Sequence, residues 1–276
     1  MMSHAFPFRQ IGDFQITALS DGTMSASLEL LSGIETADAD AIQCRAGIDK
    51  PGDIHINSYL IRGRGRVILV DAGAGAPGQL TANLAATGVS PDEVDTVLLT
   101  HCHPDHIGGL LDAEQKPVFK RAEIILHPLE AQHWRDDKKR EMANERGQRN
   151  FLLARQTLNT YAPNVRFFNG EKIAEDILPV WLPGHTPGHS GFRIDSESER
   201  LLIWGDIVHY PHIQSAQPAV SILFDVDPAQ AEETRKKIME HAASEKLLIA
   251  GMHLNQAGFA RILRDGTGYR INYAEK

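Results

Sequence analysis

Apolar residues in the N-terminal third come in short runs broken by glycine, proline and charge. Phe14 to Leu19, Asn57-Ser58-Tyr59-Leu60-Ile61 and Val67-Ile68-Leu69-Val70 have the length and composition of strands. Arg62-Gly63-Arg64-Gly65-Arg66 between the last two reads as a hairpin turn. Leu80 to Thr87 predicts a helix closed by Gly88, and Ser90-Pro91-Asp92-Glu93 predicts another helix start. Val94 to Thr100 then reads as a buried strand. Beyond it, Glu123-Ile124-Ile125-Leu126-His127 predicts a strand and Pro128 opens a helix. Leu129 to Leu158 is charged and helix-prone, punctuated by Trp134, Phe151, Leu152 and Leu153. Two roles fit it: a solvated helix pair, or a lid whose apolar residues wall a cleft.

The second half repeats this style. Residues 165–168, 179–182, 191–194 and 201–204 read as strands, as does Leu247 to Ala250. Asp227-Pro228 starts a helix running to about Ala243, with Asp as cap, Pro in the first turn and Glu232 and Glu233 near the positive end. Strands clustered in each half, with helices between, predict two sheets packed face to face and covered by helices. No linker divides the chain, so residues 1–276 read as one domain, with about 110–160 as the helical lid.

The chemistry concentrates after the strand ending at Thr100, in His101-Cys102-His103-Pro104-Asp105-His106. Imidazole nitrogen and carboxylate oxygen at this density suit a first-row divalent ion such as zinc. Side chains two apart on an extended backbone point the same way, so His101 and His103 can reach one ion. Pro104 turns the chain and lets Asp105 and His106 face a second. Later strand ends add Pro183-Gly184-His185-Thr186-Pro187-Gly188-His189, then Asp206 and His253. Two ions ~3.5–4 Å apart need bridging oxygen, which Asp206 and a water or hydroxide can supply.

Composition changes little. The chain is 42% hydrophobic and 23% charged, which is ordinary for a globular protein. A formal net charge of -8 disfavours a non-specific nucleic-acid binder. Two cysteines, Cys44 and Cys102, do not make a disulfide scaffold, and Cys102 reads as a small buried filler. Residues 1–10 lack the pattern of a secretory signal, and no run approaches the ~18 apolar residues of a membrane span. These features predict a cytoplasmic protein without nucleic-acid or membrane partners; a homodimer is compatible with them.

His101-x-His103-x-Asp105-His106, followed by His189, Asp206 and His253, resembles the metallo-β-lactamase superfamily of hydrolases. The resemblance runs from Asn57-Ser58-Tyr59 to the C-terminus. It implies an α/β (α+β) fold, an αββα sandwich of two mixed sheets flanked by helices. It assigns His101, His103 and His189 to one metal, Asp105, His106 and His253 to the other, and Asp206 to the bridge. The expected cofactors are two divalent ions, zinc first, with manganese, iron or cobalt also fitting the donor set.

Trp204-Gly205-Asp206-Ile207-Val208, Phe224-Asp225-Val226-Asp227-Pro228 and Ala250-Gly251-Met252-His253-Leu254 resemble the methyl parathion hydrolase-like and lactonase-like branch. That implies a metal-bridging hydroxide cleaving a small-molecule lactone or aryl ester, with phosphotriesterase side activity. The branch's Phe-Pro-Gly run after the last ligand is missing: Asn255-Gln256-Ala257-Gly258-Phe259-Ala260-Arg261 stands there. That loop is expected near the site, with apolar groups around Phe259 and on the lid favouring an apolar substrate. Two alternatives share the cluster. A glyoxalase II-like thioesterase needs basic residues near the C-terminus, where Arg261, Arg264 and Arg270 are the candidates. A mononuclear iron dioxygenase would leave the second ligand set unused.

Asp105, Asp206 and His209 are the catalytic candidates. His209, three residues after the bridging Asp, can contact the substrate or donate a proton to the leaving group; His212 and Tyr210 are weaker versions of that idea. Asp71 is expected to orient a ligand from behind, and His185 to structure its loop. Trp181 and Trp204 read as core. His4, His55, His127, His133 and His241 read as ordinary.

Overall fold

The computed structural model describes residues 6–273, so Met1–Ala5, with His4 among them, lie outside the described residues. Strand pairing makes two large sheets. The first has seven strands in the spatial order Phe8–Ile11, Phe14–Met24, Ile54–Gly63, Arg66–Val70, Thr96–Leu98, Glu123–Leu126 and Val165–Phe167. Its first four strands pair antiparallel and the rest parallel. The second has six: Gly268–Tyr273, Phe259–Asp265, Leu248–Ala250, Glu199–Ile203, Ser190–Ser196 and Ile177–Trp181. Only Glu199–Ile203 and Leu248–Ala250 run parallel in it. Both sheets are therefore mixed.

Local chemistry explains the turns that hold these strands. Arg64 and Gly65 take φ of 48° and 71°, the double left-handed turn that matches strand twist, and the hairpin closes with Gly63 opposite Arg66. The Ser90 signal does form its capping box, but only one tight turn follows, Pro91–Glu93. Val94 is fully buried and commits the chain to the next strand at once.

Alternation puts Ile16, Ile61, Ile68 and Ile125 of the first sheet against Phe192, Ile194, Ile203 and Phe259 of the second. Each such side chain contributes roughly 2 kcal/mol of burial. Tyr59 crosses this layer: its hydroxyl donates to the Gly258 carbonyl at 2.6 Å and accepts from the Gly251 N–H at 3.0 Å. On the outer face of the first sheet lie the helices Leu80–Ala86, Pro128–Arg135 and Glu145–Thr160, packed through Leu84, Trp134 and Leu158. Pro228–Ser244 covers the second sheet, setting Ile238, Met239 and Ala242 on Trp204 and Ile249. The layers are αββα.

Several expectations change. The charged run forms three helices, Pro128–Arg135, Asp137–Met142 and Glu145–Thr160, rather than a pair. Leu152 points to solvent. Phe259 is core, edge-on to Tyr59 with ring centroids 5.7 Å apart, and walls no substrate cleft. Trp204 is core, but Trp181 is 52% exposed, stacked on His127 and donating its indole N–H to the Pro187 carbonyl. Among the described residues, no helix is long and apolar enough to cross a membrane.

Candidate metal centre

Every functional side chain arrives from just beyond a strand. His101 and His103 follow Thr96–Leu98, and His103 is the cap of the short helix Pro104–Ile107, whose first turn carries Asp105 and His106. His185 follows Ile177–Trp181, Asp206 follows Glu199–Ile203, and His253 follows Leu248–Ala250. A strand end leaves the last side chain at the sheet edge, so parallel neighbours deliver their polar residues to one place.

Asp206 is the centre. His101, His106, His185, His209 and His253 each bring an Nε2 within 3.7 Å of its Oδ2. On one side, His103 Nδ1 lies 2.9 Å from His101 Nε2 and 3.0 Å from His185 Nε2. On the other, Asp105, His106, Asp206 and His253 form a second group whose ligand atoms lie within 4.8 Å of one another. Asp105 Oδ2 is 3.5 Å from His106 Nε2 and 3.7 Å from His253 Nε2.

The opposite edge of most of these rings is already occupied. His106 Nδ1–H donates to Asp71 at 2.6 Å, His185 Nδ1–H to Asp225 at 2.8 Å and His253 Nδ1–H to the His55 carbonyl at 2.8 Å. Each ring is thereby held in the tautomer that turns an Nε2 lone pair inward. Inward-facing lone pairs about 3 Å apart repel one another unless a cation lies among them. His106 Nε2 and Asp206 Oδ1 are buried with no hydrogen-bond partner at all. The donor set fits divalent ions on both counts. Burial pushes His101 and His103 well down, toward the neutral form a ligand needs. Burial opposes charge on His106 and His253 too, but the carboxylates of Asp206 and Asp105 outweigh it and raise both.

His101, His103, Asp105, His106, Asp206 and His253 are brought together in one cluster. His189 is not among them. Its Nδ1–H donates to the Leu182 carbonyl at 2.7 Å and its Nε2 accepts the Asp206 backbone N–H at 2.9 Å, leaving no ring nitrogen for an ion. His185, rather than His189, stands with His101 and His103 in a group that could hold an ion. His189 instead holds the backbone of Asp206. Asp71 acts as expected, accepting from His106, the Thr100 N–H and the Thr100 hydroxyl while held at φ 57°.

His209 is buried with Nε2 3.3 Å from Asp206 Oδ2, and burial holds it down at about 4. Tyr210 is fully buried, its hydroxyl donating to the Gly52 carbonyl, and does not line the cleft. His212 sits edge-on to Tyr273. Cys102 is buried, and both cysteines are free. The roles of Asp225 and Glu130 were missed: Asp225 stood in a quoted motif but its histidine, His185, is forty residues away, and Glu130 stands in no motif.

A cavity of about 1010 Å³ opens above the cluster. Asp105, His103, Asp206 and His209 form its floor. Met24, Leu30, Ile56, Trp134, Phe151 and Phe224 supply apolar wall. The helices of 128–160 provide one side of it through Trp134, Asn150 and Phe151. Arg261, Arg264 and Arg270 do not line it; Arg264 pairs with Glu240 and Arg270 with Asp265.

Known proteins share this fold. The solved structure of AbOPH, a hydrolase in the beta lactamase superfamily, superposes with a TM-score of 0.90 at 30% identity, covering 98% of each chain. AidC, a dizinc quorum-quenching lactonase solved with the product N-hexanoyl-L-homoserine, shares the fold with a TM-score of 0.92 at 24% identity, covering 99% of this chain and 98% of its own. Anti-Pycsar protein Apyc1 of Paenibacillus sp. (strain J14) is 35% identical over 81 residues, 26% of this chain and 31% of that protein. The chain thus spans under a third of the first curated relatives it matches. Residues 51–251 match the family described as Metallo-beta-lactamase superfamily, and the chain belongs to it.

Proposed function

We propose that this metal-dependent hydrolase holds two divalent ions, zinc by preference, and cleaves a lactone or aryl ester. His101, His103 and His185 would hold one ion, Asp105, His106 and His253 the other, and Asp206 would join them. When bound, such a pair polarises a carbonyl oxygen and acidifies water near neutral pH. The observation that carries the reading is the union of this cluster with the cavity: a polar floor centred on Asp206 beneath an apolar wall. At about 1010 Å³ the cavity accepts a substrate of drug-like size, with its ester group at the floor and its acyl or aryl part on the wall.

This chain's own residues then have separate tasks. Asp71, Asp225 and the His55 carbonyl fix the rings. Asp105, on the cavity floor, is placed to accept a hydrogen bond from the attacking water. Burial favours the neutral form of His209, which stands on the cavity floor, so the task proposed for it is a hydrogen bond to substrate. Net reaction is addition of one water across the ester bond, giving an acid and an alcohol, or one hydroxy acid from a lactone.

A pH-stat panel tests this with metal-loaded protein: an aromatic lactone, an acyl-homoserine lactone, an aryl ester, an aryl phosphotriester and S-lactoylglutathione. A lactone or the aryl ester is expected to give the highest kcat/KM, with slower phosphotriester turnover. A dominant thioester rate, or silence across the panel with metal bound, would reject the substrate class.

A further inference from the structure

We propose that Glu130 is a positioning residue for the metal centre: its buried carboxylate locks the loop of His101 and His103 to the loop of His185 and ties both to the substrate wall. The inference rests on the reading above only in taking those three histidines as ligands of one ion.

Glu130 lies in the first turn of the helix Pro128–Arg135 and is fully buried. Its Oε1 accepts the Cys102 backbone N–H at 2.9 Å and the Trp134 indole N–H at 2.6 Å. Its Oε2 accepts the Thr186 hydroxyl at 2.6 Å and the Gly188 backbone N–H at 3.1 Å. Cys102 is the residue between His101 and His103. Thr186 follows His185 directly. One side chain therefore spans two loops that are more than eighty residues apart in sequence.

Four donors converge on one group, and only an ionised carboxylate offers an acceptor to each. Glutamine would turn an NH₂ group toward two of them and strand buried donors. The donors are all neutral, so the charge is stabilised by dipoles alone. A buried anion is a costly filler where leucine would pack. Its cost is justified by what it holds. The contact is tight at the backbone as well: a Cβ on Gly188 would sit 2.3 Å from the Glu130 nitrogen. The Trp134 ring lies edge-on to His103, centroids 5.5 Å apart, and faces the cavity. Substrate against Trp134 thus presses on the same carboxylate that sets the His101–His103–His185 triangle.

The test uses full-length, metal-free protein titrated with zinc against a chromophoric chelator, repeated with cobalt to read the ligand field of each step. Glu130→Gln is expected to weaken one zinc step roughly 10- to 100-fold while the other stays within about threefold. Thr186→Val, which removes a single donor, is expected to weaken the same step by less; it carries the test if Glu130→Gln does not fold. Circular dichroism and the melting temperature of the metal-free chains are read alongside. Wild-type affinities in both variants, or equal weakening of every step in proportion to lost stability, would overturn the proposal. Wild-type stoichiometry from the same titration tests the two-ion reading by itself, while the ratio of variant to wild type tests Glu130.

Discussion

A single residue decides what each ring in this site can do, and the deciding residue is often remote. His185 and His189 sit four apart in one tight loop and look alike in sequence. Asp225, forty positions on, takes the Nδ1–H of His185 and frees its Nε2. The Leu182 carbonyl and the Asp206 N–H occupy both nitrogens of His189. His185→Ala is therefore expected to release one ion, with at least a ~10-fold loss of metal affinity, and to abolish hydrolysis. His189→Gln, which can keep both hydrogen bonds, is expected to retain both ions. Metal analysis of the two variants checks this, and the reverse pattern would restore His189 as the ligand. Of the candidate ligands, His101 and His103 were legible from their two-residue spacing on extended chain, and Asp105 and His106 from the turn that Pro104 makes directly after them. The partners behind them, Asp225, Glu130 and the His55 carbonyl, were not, because only tertiary packing brings them near.

At the scale of elements, two helix starts clamp the loop that presents His185. A Cβ on Gly184 would lie 2.2 Å from the Ala231 nitrogen, and one on Gly188 would lie 2.3 Å from the Glu130 nitrogen. Gly184 also takes φ 128°, open to glycine alone. Backbone cannot yield as a side-chain tip can, so Gly188→Ala must push the Pro128–Arg135 helix off the loop. The expected cost is about 1–3 kcal/mol in denaturant unfolding, with lower kcat from a displaced His185. Wild-type stability and turnover would show that this approach is dispensable. Both helix starts were readable: Pro128 opens Pro128–Arg135, and Asp227 caps Pro228–Ser244, accepting the Gln230 N–H at 3.0 Å. The C-terminal hairpin Phe259–Asp265 and Gly268–Tyr273 was not, because its burial does not alternate cleanly: Phe259 and Ala260 are both buried, while Leu263 is exposed.

Across the whole molecule, both sheets deliver their polar strand ends to one edge, and the helices of 128–160 close one side over it. That helical wall also carries a pH response of its own. Burial, reinforced by nearby Lys139, holds His133 down at about 4. In the unfolded chain it titrates near ~6.5. Below that pH the unfolded chain binds a proton that the folded chain refuses. Its contribution is complete above about 6.5 and is lost as pH falls toward 4, by up to ~1.4 kcal/mol per unit. His133→Phe is expected to flatten that part of the acid limb in chemical denaturation of metal-free protein. An unchanged slope would place the titrating group elsewhere.

One carboxylate, Asp206, is proposed to organise two ions and the reaction they support. Bound metal per chain and hydrolysis, measured on the same samples of wild type and Asp206→Asn, test it most directly. Two ions per wild-type chain are expected, with loss of metal and of turnover together in the variant. Two ions and full activity in Asp206→Asn would contradict it.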